Sequence, residues 1–134
     1  MNYWLLKTEP GTYSWDNLVN DKKTIWDGVR NFQARNHLKN MKKGDLLFIY
    51  HSGDEKAIIG MGTVLKEAYP DPKAKDWVVV EIGVGKKLKN PVSLSTIKAT
   101  KKLATMVLVR ASRLSVQPVQ ESEFNLIQEL SEHS

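Results

Sequence analysis

The sequence predicts an α+β protein built on a strongly bent, barrel-like sheet with short helices packed around it. Three observations predict this. Apolar runs of strand length recur along the chain, and only short helical stretches separate them. The long βαβ alternation of a doubly wound sheet is absent. Several strands are apolar on both faces, so a flat open sheet would leave sticky faces and edges uncovered.

The elements follow in order. "YWLLK" (3–7) is a short apolar strand stopped by "TEPG". Ser14 caps a short helix through "SWDNLVN". "NFQARNHLKNM" (31–41) is a helix with Asn31 as its cap and Phe32, Leu38 and Met41 as its apolar positions. "KKGD" (42–45) is a turn, and "LLFIYHS" (46–52) is a strand apolar on both faces as far as His51. "SGDEK" turns the chain into "AIIGMGTVLKEAY" (57–69), a strand in which Gly60 and Gly62 mark a bulge or a close backbone approach. "PDPK" (70–73) is read as irregular. "DWVVVEIGVGKKL" (76–88) is a long β-branched strand covered on both faces, and "NPVSLSTIKA" (90–99) is a turn and a short helix. "ATMVLV" (104–109) reads as a strand and "RLSVQPV" (113–119) as an extended piece. "ESEFNLIQEL" (121–130) is an amphipathic helix presenting Phe124, Ile127 and Leu130.

The 134 residues suit one domain, 1–134, with a respectable core. No apolar run approaches the roughly 20 residues that span a bilayer, and no signal peptide is evident, so a cytoplasmic protein without membrane contact is the simplest expectation. The absence of cysteine removes disulfides, thiol nucleophiles and cysteine-ligated zinc. The net charge of +5 is unevenly spread. Residues 22–43 hold seven Lys or Arg against Asp27 alone, residues 84–120 hold eight and no acid, and the stretch from Glu121 holds four Glu and no Lys or Arg. Such asymmetry favours a polyanionic partner, although on charge alone a solvated lysine-rich face is the plainer reading.

Phosphate-loop, zinc-protease and nucleophile-elbow motifs are all absent. Three scattered histidines do not make a metal cluster, and no metal or cofactor is expected. His51, at a strand end, either satisfies a buried backbone group or lines a site. Trp4, Trp15 and Trp77 sit in or beside apolar runs and read as core. Trp26 is different: Asp27 and Gly28 follow it directly, and the segment has no clear period. An indole on irregular backbone beside hydrogen-bonding groups suits a base-stacking wall, although it also suits a plug between helix and sheet. In "EAYPDP", two prolines stiffen a loop that presents Tyr69 and Asp71.

Four stretches in this order, "YWLLKTEPGTYSW", "IWDGVRNFQARNHL", "LLFIYHSG" and "KEAYPDP", together resemble the EVE domain of the thymocyte nuclear protein family; the late "RLSVQPV" is also similar. The chain begins at the domain's first strand, without a basic extension, and so looks more like a bacterial member. The resemblance implies a PUA-like fold, a curved mixed β-barrel flanked by short helices, and kinship with YTH and ASCH domains. It implies a non-enzymatic nucleic-acid-binding module, a reader of a modified (for example methylated) base flipped into an aromatic pocket, with DNA or RNA as partner. By the same resemblance Trp26, Asp27, Asn31, Tyr50, His51, Ser52, Tyr69 and Asp71 would form the base pocket. Lys7, Thr8 and Glu9 would stand at its mouth. Arg30, Arg35, Lys39, Lys42 and Lys43 are placed in sequence to hold phosphates. The alternatives are an RNA-binding module indifferent to modification, an enzyme acting on a base or nucleotide through Asp27 or His51, and a small-molecule sensor. Oligomeric state is not indicated.

Overall fold

The computed structural model describes residues 1–133. Six strands form one mixed sheet: β1 (Tyr3–Thr8), β2 (Lys23–Trp26), β3 (Leu46–His51), β4 (Ala57–Asp71), β5 (Ala74–Ser93) and β6 (Val116–Val119). Their spatial order is β2-β5-β4-β3-β1-β6. β1 runs parallel to β3, and every other pairing is antiparallel. The helices are α1 (Trp15–Asp21), α2 (Phe32–Asn40), α3 (Leu94–Ala99), α4 (Val107–Arg110) and α5 (Glu121–His133), with a 3-10 turn at Lys101–Leu103. This is the predicted architecture, a curved mixed sheet with short helices around it. The curvature comes from the long β4–β5 pair, whose register shifts repeatedly between Ile58 and Asp71. Each shift adds local twist and bend.

Side-chain alternation feeds two cores. Trp4, Leu6, Leu47 and Ile49 face one core together with Trp15 and Leu18 of α1 and Ala34 and Leu38 of α2. Leu5, Phe48 and Tyr50 face the other together with Ile97, Leu108, Phe124 and Ile127. Phe48 stacks on Phe124 with centroids 4.1 Å apart. This two-sided cover explains why β3 lacks a polar face. β5, expected to be covered on both faces, is so only around residues 79–83, and its Asp76, Lys86 and Lys87 are exposed.

The predicted caps form. Ser14 accepts from the Asn17 amide and Asn17 answers, a complete capping box. The Asn31 side chain accepts from the Ala34 amide. Other expectations need correction. "ATMVLV" is not a strand: β6 already occupies the free side of β1, and the segment instead folds as α4, sending Met106 and Leu108 into the second core. "PDPK" is not irregular throughout. β4 continues through Pro70 to Asp71, and only Pro72 and Lys73 turn the chain. Pro70 is exposed and lies where the register slips, so its missing N–H costs little. Trp26 is not on irregular backbone but ends the short strand β2, opposite Val80. Trp77 is half-buried rather than core, and Phe32 is 64 % exposed. The two rings stack on each other at 5.1 Å. Gly62 does meet another backbone, since a Cβ there would lie 2.8 Å from the Gly83 carbonyl; at Gly60 the neighbour is the Trp15 indole, at 2.5 Å.

Candidate functional site

A cavity of about 550 Å³ opens beside the end of β1. Three segments build it. The first is the strand end, Lys7 to Glu9, with Thr12 and Tyr13 after the turn. The second is β2 and the loop that leaves it, Thr24 to Arg30. The third is Ser115, just before β6. Gly28 lets the loop turn back, with φ at +78°, and Val29 then anchors in the core.

The walls are held from behind. Trp26 is 8 % exposed, yet it lines the cavity. Tyr13 stands edge-on to it, with centroids 6.1 Å apart and planes at 88°. The Thr8 hydroxyl donates to the Tyr13 carbonyl at 2.6 Å. The Tyr13 phenol donates to Asp21 at 2.8 Å, and burial together with that carboxylate raises its pKa, while a hydrogen bond with Thr24 opposes the shift. Arg30 is drawn to buried Asp71 at 3.4 Å and also donates to the Val29 carbonyl. The lining therefore combines two aromatic rings with hydroxyls, carboxylates and two cations. Such a site suits a flat ligand with hydrogen-bonding edges.

The structure brings some of the expected site residues together and separates others. Trp26 and Asp27 line this cavity, and Lys7, Thr8 and Glu9 lie along it. Asn31 does not line it, because its side-chain oxygen caps α2. His51 takes the structural role: its Nε2 accepts from the Trp15 amide at 2.9 Å and its Nδ1 meets Glu55 at 2.5 Å. That pattern fixes the tautomer and occupies the lone pair. Tyr50 and Ser52 line an adjoining cavity instead. Tyr50 belongs to the core on the opposite sheet face from Trp26, so strand alternation directs it away. Tyr69 lies in β4 opposite Val79 of β5, donates to Glu81 at 2.7 Å and carries Lys66 over its ring at 4.5 Å; it is not on the cavity. Asp71 reaches the site only through Arg30, and also accepts from the Lys73 amide at 2.8 Å.

The expected phosphate-binding set also divides. Arg30 lines the cavity. Arg35 lies over the rings of Phe32 and Trp77 and donates to the Asp76 carbonyl at 2.7 Å. Lys42 and Lys43 precede the start of β3, whereas the cavity lies at the far end of its parallel neighbour β1. Lys39 is in the last turn of α2, next to His37, which packs on Trp4 near the start of β1.

Sequence reasoning missed Thr12, Tyr13, Thr24 and Ser115. Tyr13 carried a usable signal: it lies in the "TYSW" that ends the first family stretch and directly precedes the helix cap. Thr24 lies two residues before Trp26, on the same strand face. Ser115 had no such signal, since only long-range strand pairing brings it here.

The EVE domain family model matches residues 2–130. The chain is 35% identical to thymocyte nuclear protein 1 of Rattus norvegicus, covering 98% of this chain and 74% of that protein. It is similar to a protein from Rhodopseudomonas palustris solved by NMR, with 42% identity, a TM-score of 0.94, and 99% and 94% of the two chains covered. It is also similar to human THYN1 solved in complex with 5-methylcytosine-containing DNA, with 32% identity, a TM-score of 0.91, and 98% of each chain covered. Family match, identity and fold agree over nearly the whole length, and the chain belongs to the EVE domain family.

Proposed function

We propose that this protein is a non-enzymatic nucleic-acid-binding module that reads a modified nucleobase, extruded from its strand into the cavity beside Trp26. The observation that carries this reading is the joining of Trp26, Tyr13 and hydrogen-bonding groups around one cavity of about 550 Å³. Known ligand pockets run from about 300 to 1,000 Å³. An indole offers a stacking surface worth about 1–3 kcal/mol per base. Asp27 and Glu9 accept from amino groups on a base edge, the threonine and serine hydroxyls donate or accept, and Arg30 and Lys7 donate.

The complex of human THYN1 with 5-methylcytosine-containing DNA supports nucleic acid as the partner class. Of the two candidate general bases, His51 has its lone pair committed to the Trp15 amide, and Asp27 lines the cavity, where it serves as an acceptor for a base edge. One buried methyl contributes on the order of 1 kcal/mol, so methylation alone gives about fivefold selectivity. Sharper discrimination comes from pocket groups left unpaired by the wrong base.

Calorimetry with matched oligonucleotides, with and without a methylated base, tests the reading. Tighter binding of the modified strand, weakened by Trp26→Phe, is the expected result. Equal binding of both strands, unchanged by that substitution, overturns it in favour of a module indifferent to modification.

A further inference from the structure

We propose that the second cavity, gathered around Lys7, Lys56, Lys98 and Arg113, seats the backbone phosphates next to the base held in the first. The inference rests on the base-reading role of that first cavity. This second cavity also measures about 550 Å³, and Tyr50 and Ser52 contribute to it. The two cavities adjoin, because Lys7 and Ser115 line both. The Lys7 amide donates to the Ser115 carbonyl at 2.9 Å, so these residues form a fixed ridge that continues the β1–β6 ladder.

Charge separates across that ridge. The first cavity carries the carboxylates of Glu9 and Asp27 beside its cations; the second is lined by four cations, and the one carboxylate at its edge is that of Glu9, 3.5 Å from the Ser52 hydroxyl. Elsewhere several basic side chains have acidic or aromatic partners: Arg30 has Asp71, Lys86 has Glu132, and Arg35 has two rings. Among the described residues, Lys7, Lys56, Lys98 and Arg113 are in no ion pair. Lys7 is half-buried, lies 5.5 Å from the centre of the Tyr50 ring, and donates its ammonium proton to the Ser112 carbonyl. Burial lowers its pKa. Four like charges around one cavity repel each other, and an anion between them relieves that repulsion.

The position selects the anion. A base swung out of its strand leaves its own phosphates just outside the slot it enters. Here the neighbouring concavity is the one rich in cations; the Ser52 hydroxyl on its wall donates to the Thr8 carbonyl at 3.2 Å. Lys42 and Lys43, the more conspicuous basic pair in the sequence, stand near the opposite end of the strands.

The test is a salt series of single-stranded oligonucleotide binding, with and without a methylated base. It compares the unaltered protein, the double variant Lys98→Ala/Arg113→Ala, and Lys86→Ala as a remote control. Lys98 and Arg113 are exposed, so the double variant keeps the fold, which its melting temperature checks. Expected is a tenfold or greater loss of affinity at low salt. The slope of log K against log salt should fall by about 0.7 for each phosphate no longer neutralised, with the ratio of modified to unmodified binding unchanged. Affinity and slope equal to those of the unaltered protein and of Lys86→Ala overturn the proposal. A normal selectivity ratio with an unchanged slope sinks the phosphate seat alone. A reduced slope in a protein whose selectivity ratio is one sinks the base-reading role and with it the seat beside a held base, leaving a general backbone-binding surface.

Discussion

Tyr13 meets Trp26 edge to face, its ring centre 6.1 Å away and its plane turned by 88°. Such a pair is worth about 0.5–1.5 kcal/mol beyond the area it buries. Tyr13 is itself fixed, by the Thr8 hydroxyl at its carbonyl and by Asp21 at its phenol. The indole is therefore braced before any ligand arrives, and a braced wall loses little entropy on binding.

Trp26→Phe keeps a ring in the core but shrinks the stacking surface. It should weaken oligonucleotide binding by about 1 kcal/mol, read by calorimetry, with a small change in melting temperature. Trp26→Ala is a poorer probe, because emptying so buried a site costs about 3–5 kcal/mol of stability.

Asp45 is buried and holds the start of β1 to the turn before β3. Its carboxylate accepts from the Trp4 indole at 3.0 Å, the Lys42 amide at 2.9 Å and the Asn2 amide at 3.1 Å. Burial pushes its pKa up, but these hydrogen bonds and the nearby N-terminal amine outweigh burial, and the net shift is downward. A lowered carboxyl pKa stabilises the fold above the group's unfolded value, and that stability is lost as pH falls through the folded value. Acid melting curves should therefore fall more steeply for the unaltered protein than for Asp45→Asn. Asp45→Ala should cost about 3 kcal/mol at neutral pH by denaturant unfolding.

His51→Ala strips the buried Trp15 amide of its acceptor at the first residue of α1. A loss of about 1–3 kcal/mol is expected from thermal or denaturant melts. Hydrogen exchange should accelerate at Trp15 and along α1 while α5 stays protected.

Gly60→Ala forces a methyl to within 2.5 Å of the Trp15 ring. Overpacking of this kind costs about 1–3 kcal/mol. Gly11→Ala has nothing within 4 Å and should melt like the unaltered protein.

The fold was legible where local chemistry and burial agree. Ser14 and Asn31 announce their helices, and the unbroken apolar run of β3 announces two covered faces. It was illegible where tertiary context decides. β2 has only four residues, begins with Lys23 and Thr24, and exists because β5 offers it an edge. Val107 to Val109 favour a strand by residue type, but β1 already pairs on both sides. Trp77 reads as core until Phe32, Arg30 and Arg35 are seen to gather on it at the surface. The site divides the same way. Trp26 with Asp27 is visible as a motif, whereas Ser115 reaches the cavity through pairing across more than a hundred residues. No local pattern tells that Tyr50 points to the opposite side of the sheet from Trp26, although the two share a family motif set.

The most direct measurement is a two-dimensional NMR titration with a short oligonucleotide carrying one methylated base. The account predicts that the Trp26 indole N–H and the amides of Tyr13, Thr24, Asp27 and Ser115 shift together and saturate at one concentration. Shifts confined to other surfaces, with those five signals unmoved while the oligonucleotide is bound, would contradict it.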